Sequence, residues 1–326
     1  MKIARFFDNT IKYSFYLLFF FVPLVFSPVN FELFEYPKMI LVYGLTAIIT
    51  AAWLGKMFIQ GRIYVQRTPL DIPIILYLLS SILSTFLSID RYTSLWGYYS
   101  RSHGGLMSTI CYILLYYAFI SNMKENSYKG PSLPSCKDGP FWNKTIKCIH
   151  ILLFSAFLVA SYGILERLGI DKDYWVQDVQ NRVFSTLGQP NWLGAFLGAI
   201  IFVPLGLLLK QWNNEAMKQY KSKKITIYYL LFTIYFLCII FTNSKSAILA
   251  FWISFFIFIG LQRIILAKDD PLWKRKILPI LILTLLLYFT LGEKTYSYIK
   301  KVPNWVKIFN SKEVVNPSPT NNPKPN

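Results

Sequence analysis

The fold is decided by the stretch at positions 225–262, ITIYYLLFTIYFLCIIFTNSKSAILAFWISFFIFIGLQ. It contains two apolar runs, each close to the roughly 17 to 25 residues that an α-helix needs to cross the hydrocarbon core of a bilayer. The polar gap between the runs is very short and lies between two helix ends. We therefore interpret 225–242 and 246–262 as neighbouring transmembrane helices.

Similar apolar runs occur along most of the chain. The predicted spans are 13–29, 39–55, 72–89, 104–122, 149–165, 192–209, 225–242, 246–262 and 277–292. Prolines inside or at the start of some runs are compatible with this interpretation, because neighbouring helices in a bilayer can satisfy the freed backbone groups. The sequence thus predicts an all-α fold: a polytopic transmembrane helical bundle of about nine spans in residues 1–292.

The composition argues against a soluble protein and against a nucleic-acid binder. Of the 326 residues, 54% are hydrophobic and only 15% are charged, which is too little polar surface to cover a soluble domain. The net charge of +18 would suit nucleic acid, but the basic residues lie in short gaps between apolar runs instead of on a folded polar surface. We expect membrane lipids, and no nucleic acid, as partners.

Lysine and arginine are distributed unevenly over these gaps. Strongly basic gaps alternate along the chain with gaps that also carry acidic residues. Since cytoplasmic loops carry the excess of Lys and Arg, the alternation predicts a cytoplasmic amino terminus and an extracytoplasmic carboxyl terminus. The basic residues that this rule leaves on the extracytoplasmic side without a topological reason include Arg91, Arg101, Arg182 and Lys245.

The segment 293–326 differs from the rest of the chain. It loses the apolar runs and ends in NPSPTNNPKPN, a Pro- and Asn-rich composition that cannot build a packed core. We predict an extracytoplasmic tail that is partly disordered, with a short interfacial amphipathic helix at its start.

Motifs of soluble enzymes do not occur in the sequence. It contains no P-loop, GxSxG, HExxH or CxxC pattern, and its four cysteines show no paired spacing, so we expect no metal and no cofactor. The predicted spans hold almost no acidic residue apart from Asp71 at an edge, which argues against an ion-driven transporter.

The gap before the sixth span has the composition of an anion site. Arg182 precedes a small polar turn that contains Gly188 and Gln189, and Pro190 and Asn191 open the next helix. Glycine permits an unusual turn, proline favours the first turn of a helix, and the exposed N–H groups at a helix N-terminus bind anions. With a guanidinium able to bind phosphate oxygens in pairs, this segment predicts a diphosphate cradle; the alternative is an ordinary loop-to-helix junction.

Two other extracytoplasmic gaps carry cations that fit such a ligand. Lys245 lies between two helix ends at the membrane face, where it either binds a lipid phosphate or extends into the headgroup region. Arg91 and Arg101 lie among tyrosines and a tryptophan, a composition typical of an interfacial aromatic belt and also suited to a sugar or polyprenyl phosphate.

Four stretches together resemble the O-antigen ligase and polymerase family of bacterial membrane glycosyltransferases. They are FELFEYPK (31–38), SLWGYYSRSHGGL (94–106), STLGQPNWLGAFL (185–197) and FTNSKSAILAF (241–251). The resemblance covers about residues 30–260 and implies a multi-pass protein of the bacterial cytoplasmic membrane. It implies transfer of an undecaprenyl diphosphate-linked glycan to a hydroxyl of a glycan, lipid or protein acceptor, with no nucleotide sugar and no metal.

The resemblance also assigns roles to residues. It implies that outward cations hold the diphosphate, with Arg182 and the turn from Gly188 to Asn191 matching the family's segment before a helix start. Gln189 stands where asparagine is common, and Lys245 stands where the family usually has arginine. Lysine keeps the charge but loses the two-pronged hydrogen bonding of a guanidinium.

The family continues beyond the point where this chain ends. Its large extracytoplasmic loop, with a histidine that activates the acceptor, and its closing helices would begin at about the segment 293–326. On this resemblance the catalytic residues are unknown, and we expect no turnover by this chain alone. A ligase, a polymerase joining repeat units and a protein glycosyltransferase all fit, as does a non-enzymatic scaffold or lipid-binding partner of a surface-polysaccharide assembly complex.

Overall fold

The structure is a computed structural model that describes residues 2–29, 32–123, 140–213, 218–266 and 273–291. Within these ranges the regular elements are helical and no strand occurs, which confirms the predicted all-α class. The α-helices are α1 (Lys2–Phe21), α2 (Glu35–Gln60), α3 (Asp71–Phe86), α4 (Arg91–Trp96), α5 (Leu106–Met123), α6 (Pro140–Arg167), α7 (Pro190–Ile200), α8 (Phe202–Asn213), α9 (Lys218–Phe241), α10 (Lys245–Leu261) and α11 (Trp273–Leu291). The predicted tail, 293–326, lies outside the described residues.

Several helices are suited to a bilayer. Among the described residues, five segments are long and apolar enough to cross a membrane: Glu35–Gln60, Leu106–Met123, Lys144–Arg167, Pro190–Leu209 and Lys245–Ile264. Shorter apolar helices occupy Asp71–Phe86, Ile225–Phe241 and Ile277–Leu291. The described part of the chain is therefore compatible with a multi-pass membrane protein.

Two predicted spans differ from the helices observed. The first was expected at 13–29, but α1 begins at Lys2 and ends at Phe21, since Pro23 disfavours the helical conformation of the residue before it. The sixth, 192–209, is divided at Ile201 between α7 and α8. Pro204 has no N–H to donate to the carbonyl of Ile200, so the regular hydrogen-bond ladder is interrupted there.

Helix α2 makes an ion pair near each of its two ends, and these pairs mark two opposite ends of the bundle. At the end that we call the Arg101 end, Glu35 in the first turn of α2 contacts the Arg101 side chain. At the other end, which we call the Lys56 end, Lys56 lies near the last turn of α2 and pairs with Asp8 at 2.6 Å. Lys56 also donates a hydrogen bond to Asn122 at 3.0 Å, so α1, α2 and α5 meet at this end.

The larger part of the buried core surrounds α9, which packs against α6, α7 and α8. Phe232, Tyr235 and Phe236 on α9 are fully buried, and the Tyr235 hydroxyl donates a hydrogen bond to the carbonyl of Leu153 on α6 at 2.6 Å. A second apolar cluster joins α1, α2 and α5 around Phe15. The Arg101 end of the α9 cluster carries the loop from α6 to α7 and the turn from α9 to α10.

Candidate functional site

A tight turn at Gly188 fixes the start of α7. Gly188 has φ +76°, a left-handed conformation, and a Cβ added there would lie 2.3 Å from the ring of Phe34. Gln189 follows in an extended conformation and Pro190 is the first helical residue. Position 188 therefore requires glycine for two reasons, its backbone angle and the close approach of the Phe34 ring.

The start of α10 lies directly beside the start of α7. Ser244 caps α10, since its Oγ accepts a hydrogen bond from the backbone N–H of Ala247 at 3.3 Å. The same hydroxyl donates to Oδ1 of Asn191 in the first turn of α7 at 2.8 Å. One helical turn further in, a Cβ on Gly194 would lie 2.4 Å from the Cβ of Ala247, so the two helices pack in close contact.

Two adjacent helix N-termini make a strong site for an anion. The first turn of each helix leaves backbone N–H groups without intrahelical acceptors, and the helix dipole places about half a positive charge there. The hydrogen bond between Ser244 and Asn191 brings both ends together, so an anion placed there would interact with both dipoles.

Arg182 lies over this point from the loop that joins α6 to α7. Its Nη2 donates to Oδ1 of Asn191 at 3.5 Å, and its side chain is exposed. A cleft of about 410 Å³ lies between the loop and the start of α7, lined by Gln177, Asp178, Asn181, Arg182, Gln189, Pro190 and Asn191. The cleft opens to the surface, and Arg182 and the α7 N-terminus both border it.

Arg101 reaches the same region from the α4–α5 connection. Its guanidinium lies 5.4 Å from the ring centre of Trp192, the residue after Asn191. Its Nε lies 3.2 Å from a carboxylate oxygen of Glu35 and 3.9 Å from one of Glu32. About half of the Arg101 side chain is exposed, whereas the Glu35 oxygen that it contacts is buried, so the exposed face of this guanidinium is accessible to an anionic ligand.

The remaining predicted cations occupy different positions. Lys245 is the exposed first residue of α10, next to the Ser244 cap and thus beside the paired N-termini. Arg91 is the exposed first residue of α4, and among the described residues it makes no hydrogen bond or ion pair with the other predicted site residues. Hydrogen bonds from the hydroxyl and N–H of Thr93 to the Asp90 cap lower the pKa of that carboxyl below its usual value.

The structure therefore brings together most of the residues that the sequence indicated. Gln189 and Asn191 line one cleft with Arg182, and Gly188 forms the turn that precedes them. Lys245 lies at the adjoining N-terminus, and the guanidinium of Arg101 lies over the Trp192 ring. No hydrogen bond or ion pair in the described ranges joins Arg91 to them. Whether these residues bind a ligand stays a prediction.

Lys38 also contacts the candidate site, although the sequence placed it only in a gap between two spans and not among the predicted site residues. Its Nζ donates to the carbonyls of Val25 at 2.8 Å, Phe34 at 3.2 Å and Thr186 at 2.5 Å. It therefore ties the α1–α2 connection to the turn before α7. The sequence feature that could have indicated this role is the position of Lys38 directly before an apolar run, because a half-buried ammonium group there needs hydrogen-bond acceptors.

Comparison with known proteins gives no relative for this chain. No family model matches it, and neither a curated protein nor a solved structure does. The resemblance to the O-antigen ligase and polymerase family therefore rests on the four sequence stretches alone.

Proposed function

We propose that the protein is a membrane glycan ligase or polymerase of the O-antigen ligase type. It binds an undecaprenyl diphosphate-linked glycan at the extracytoplasmic face of the bacterial cytoplasmic membrane and serves transfer of that glycan to an acceptor hydroxyl. The observation that carries the proposal is the hydrogen bond between Ser244 and Asn191, which joins two helix N-termini directly beneath Arg182.

A diphosphate fits the chemistry of this point. Its oxygens carry several negative charges, and the paired N-termini offer backbone N–H groups together with the guanidinium of Arg182 and the ammonium of Lys245. A diphosphate is already a competent leaving group, so the protein has mainly to position the two substrates and neutralise the charge that develops. Fixed N–H groups and cations suit both tasks.

A span count of nine with a cytoplasmic amino terminus belongs to this proposal. Each predicted apolar run overlaps a helix in the described residues, with the sixth divided into α7 and α8. Residues from gaps predicted on the same side contact each other: Lys38 contacts the carbonyl of Thr186, and Lys56 contacts Asp8. This pairing supports an alternating bundle, and the excess of Lys and Arg in the gaps at the Lys56 end is the reason to assign the Arg101 end to the outside.

Binding of a diphosphate lipid tests the site directly. The purified protein is titrated with an undecaprenyl diphosphate analogue, and the dissociation constant is compared with those of Arg182→Ala and Lys245→Ala. Each substitution removes a charge-assisted hydrogen bond, so we expect each affinity to fall roughly tenfold or more. Lys245→Arg restores the fork and is expected to bind at least as tightly as the natural protein.

A matched control separates the site from general charge effects. Lys172 is an exposed lysine in the same α6–α7 loop but does not line the cleft, so Lys172→Ala removes an equal charge at a distance from the site. We expect its affinity to be unchanged. Equal binding by the natural protein, Arg182→Ala and Lys245→Ala would overturn the proposed function.

A further inference from the structure

The loop that carries Arg182 is held on both sides by two consecutive residues at the end of α6. Residues Gln180 and Asn181 precede Arg182, and Phe184 and Ser185 follow it. Both flanks contact the last turn of α6, the first through Arg167 and the second through Glu166. The sequence suggested only loop charges at these two positions.

Glu166 anchors the flank that follows Arg182. Its Oε2 accepts hydrogen bonds from the backbone N–H groups of Phe184 at 3.0 Å and Ser185 at 2.7 Å. The Glu166 side chain has no exposed surface, so water cannot replace these bonds. Ser185 has φ +52°, a conformation that non-glycine residues rarely adopt, and the bond from its N–H to Glu166 and the bond from its hydroxyl to the carbonyl of Val159 hold it in place.

Arg167 anchors the flank that precedes Arg182. Its Nη1 donates to the carbonyl of Gln180 and to that of Asn181 at 3.1 Å. The guanidinium also lies 5.3 Å from the ring centre of Phe241, the last residue of α9. Arg167 is almost fully buried, so its Nη1 holds these two carbonyls without competition from solvent.

Val183, which lies between these two anchored flanks, is hydrogen-bonded to the last residue of α9. The N–H of Val183 donates to the carbonyl of Phe241 at 3.3 Å. Phe241 precedes the Thr242–Asn243 turn, which leads to the Ser244 cap of α10. The backbone on each side of Arg182 is thus fixed to the ends of α6 and α9, the helices that precede the elements starting at the two N-termini.

We propose that Glu166 and Arg167 form a backbone clamp that positions Arg182 over the paired N-termini of α7 and α10, so that its guanidinium meets the anionic ligand without ordering a flexible loop. This inference rests on the proposed function for the identity of the ligand, a diphosphate lipid. Neither residue touches the ligand; both are positioning residues that act through Arg182.

The clamp makes a prediction that needs no ligand. Hydrogen exchange is measured on the peptide that covers 180–189 in the natural protein, Glu166→Leu, Arg167→Met and Glu166→Gln. Leucine removes the acceptor of two N–H groups, and methionine removes both donors to the preceding carbonyls. We expect exchange in this peptide to rise on the order of tenfold in both variants. Glu166→Gln keeps an amide oxygen as acceptor and is expected to restore protection.

Ser155→Ala is the control for a merely structural loss. Ser155 is buried on the same helix, and its hydroxyl donates to the carbonyl of Phe20, which is not part of the loop. Its removal lowers stability without releasing the loop, so exchange in 180–189 is expected to stay unchanged. Equal exchange in this peptide for the natural protein and Glu166→Leu, or an equal rise in Ser155→Ala, would overturn the clamp.

A double-mutant cycle tests whether the clamp acts through Arg182. Affinity for the undecaprenyl diphosphate analogue is measured for Glu166→Leu, Arg182→Ala and the double variant. We expect Glu166→Leu to weaken binding about fivefold or more, and Arg182→Ala to cost much less in the Glu166→Leu background than alone. Two outcomes would overturn the positioning role. In the first, the loss of affinity in the double variant equals the product of the two single losses. In the second, Glu166→Leu binds as tightly as the natural protein while Arg182→Ala binds more weakly.

Failure of the proposed function gives a different pattern. If the natural protein does not bind the analogue, the assignment of a diphosphate lipid as ligand is wrong. The hydrogen-exchange experiment still decides whether the clamp exists. If the analogue binds equally to the natural protein and Arg182→Ala, the role of Arg182 falls, and the clamp then has no positioning function.

Discussion

Gly188 shows how a single residue sets the geometry of the candidate site. Its left-handed backbone turns the chain into α7, and the ring of Phe34 occupies the space where any other side chain would begin. Phe34 belongs to the α1–α2 connection, so this one contact also ties the first part of the chain to the site. Two separate demands, the backbone angle and the steric space, meet at one position.

A pair of alanine substitutions separates these demands. Gly188→Ala adds both left-handed strain and a clash with Phe34, so we expect a loss of stability of roughly 2 to 4 kcal/mol. Gly104 has φ +84° but no atom within 4 Å of an added Cβ, so Gly104→Ala adds strain alone, roughly 1 kcal/mol. Unfolding of the detergent-solubilised variants measures both; equal losses would contradict the proposed packing against Phe34.

Residues such as Arg182 and Asn191 could be selected from the sequence, because a cation before a Gly-x-Pro-Asn turn is a local pattern. Glu166 and Arg167 could not be selected for their clamp role. Their partners are backbone atoms more than a dozen positions along the chain, and backbone groups leave no mark in the sequence. Only their place at the end of an apolar run was visible.

At the scale of elements, the site depends on the packing of α7 against α10. Gly194 lies one turn inside α7, where an added Cβ would meet the Cβ of Ala247 at 2.4 Å. The Cβ of alanine cannot rotate away, so the helices would have to separate. That separation would lengthen the hydrogen bond between Ser244 and Asn191 at the helix starts.

Gly194→Ala is therefore expected to reduce both stability and ligand affinity. Overpacking of a close helix contact costs about 1 to 3 kcal/mol, and the displaced N-termini lose part of their joint action on the anion. Gly198, one turn further along α7, has no atom within 4 Å of an added Cβ, so Gly198→Ala is the matched control and is expected to be neutral or slightly stabilising. Thermal unfolding and analogue binding are measured on both variants, and a Gly194→Ala variant that matches Gly198→Ala in both would refute the role of this contact.

The elements themselves follow from the sequence in part. The apolar runs predicted where helices lie, since run length and composition dictate burial in lipid or core. The early end of α1 and the division at Ile201 were missed, because apolar composition continues through both places while the hydrogen-bond ladder does not. Pro23 and Pro204 were the available signals, and both were compatible with an uninterrupted membrane helix.

At the scale of the whole molecule, two ion pairs of α2 mark two ends of the bundle. The Arg101 end gathers Arg101, Arg182, Lys245 and the paired N-termini, and the Lys56 end holds the pair of Lys56 and Asp8. The alternation of basic gaps predicted which gaps share an end, whereas the meeting of separate loops at one point needed the three-dimensional fold. A glycan-carrier site used for transfer outside the cell requires the Arg101 end to face away from the cytoplasm.

The side on which the Arg101 end lies is the most direct test of this requirement. Reporter domains are fused after Gln60, at the Lys56 end, and after Asp178, in the loop that carries Arg182. We expect cytoplasmic activity from the first fusion and extracytoplasmic activity from the second. Signals from the same side, or a cytoplasmic signal after Asp178, would contradict an extracytoplasmic site for a diphosphate-linked glycan.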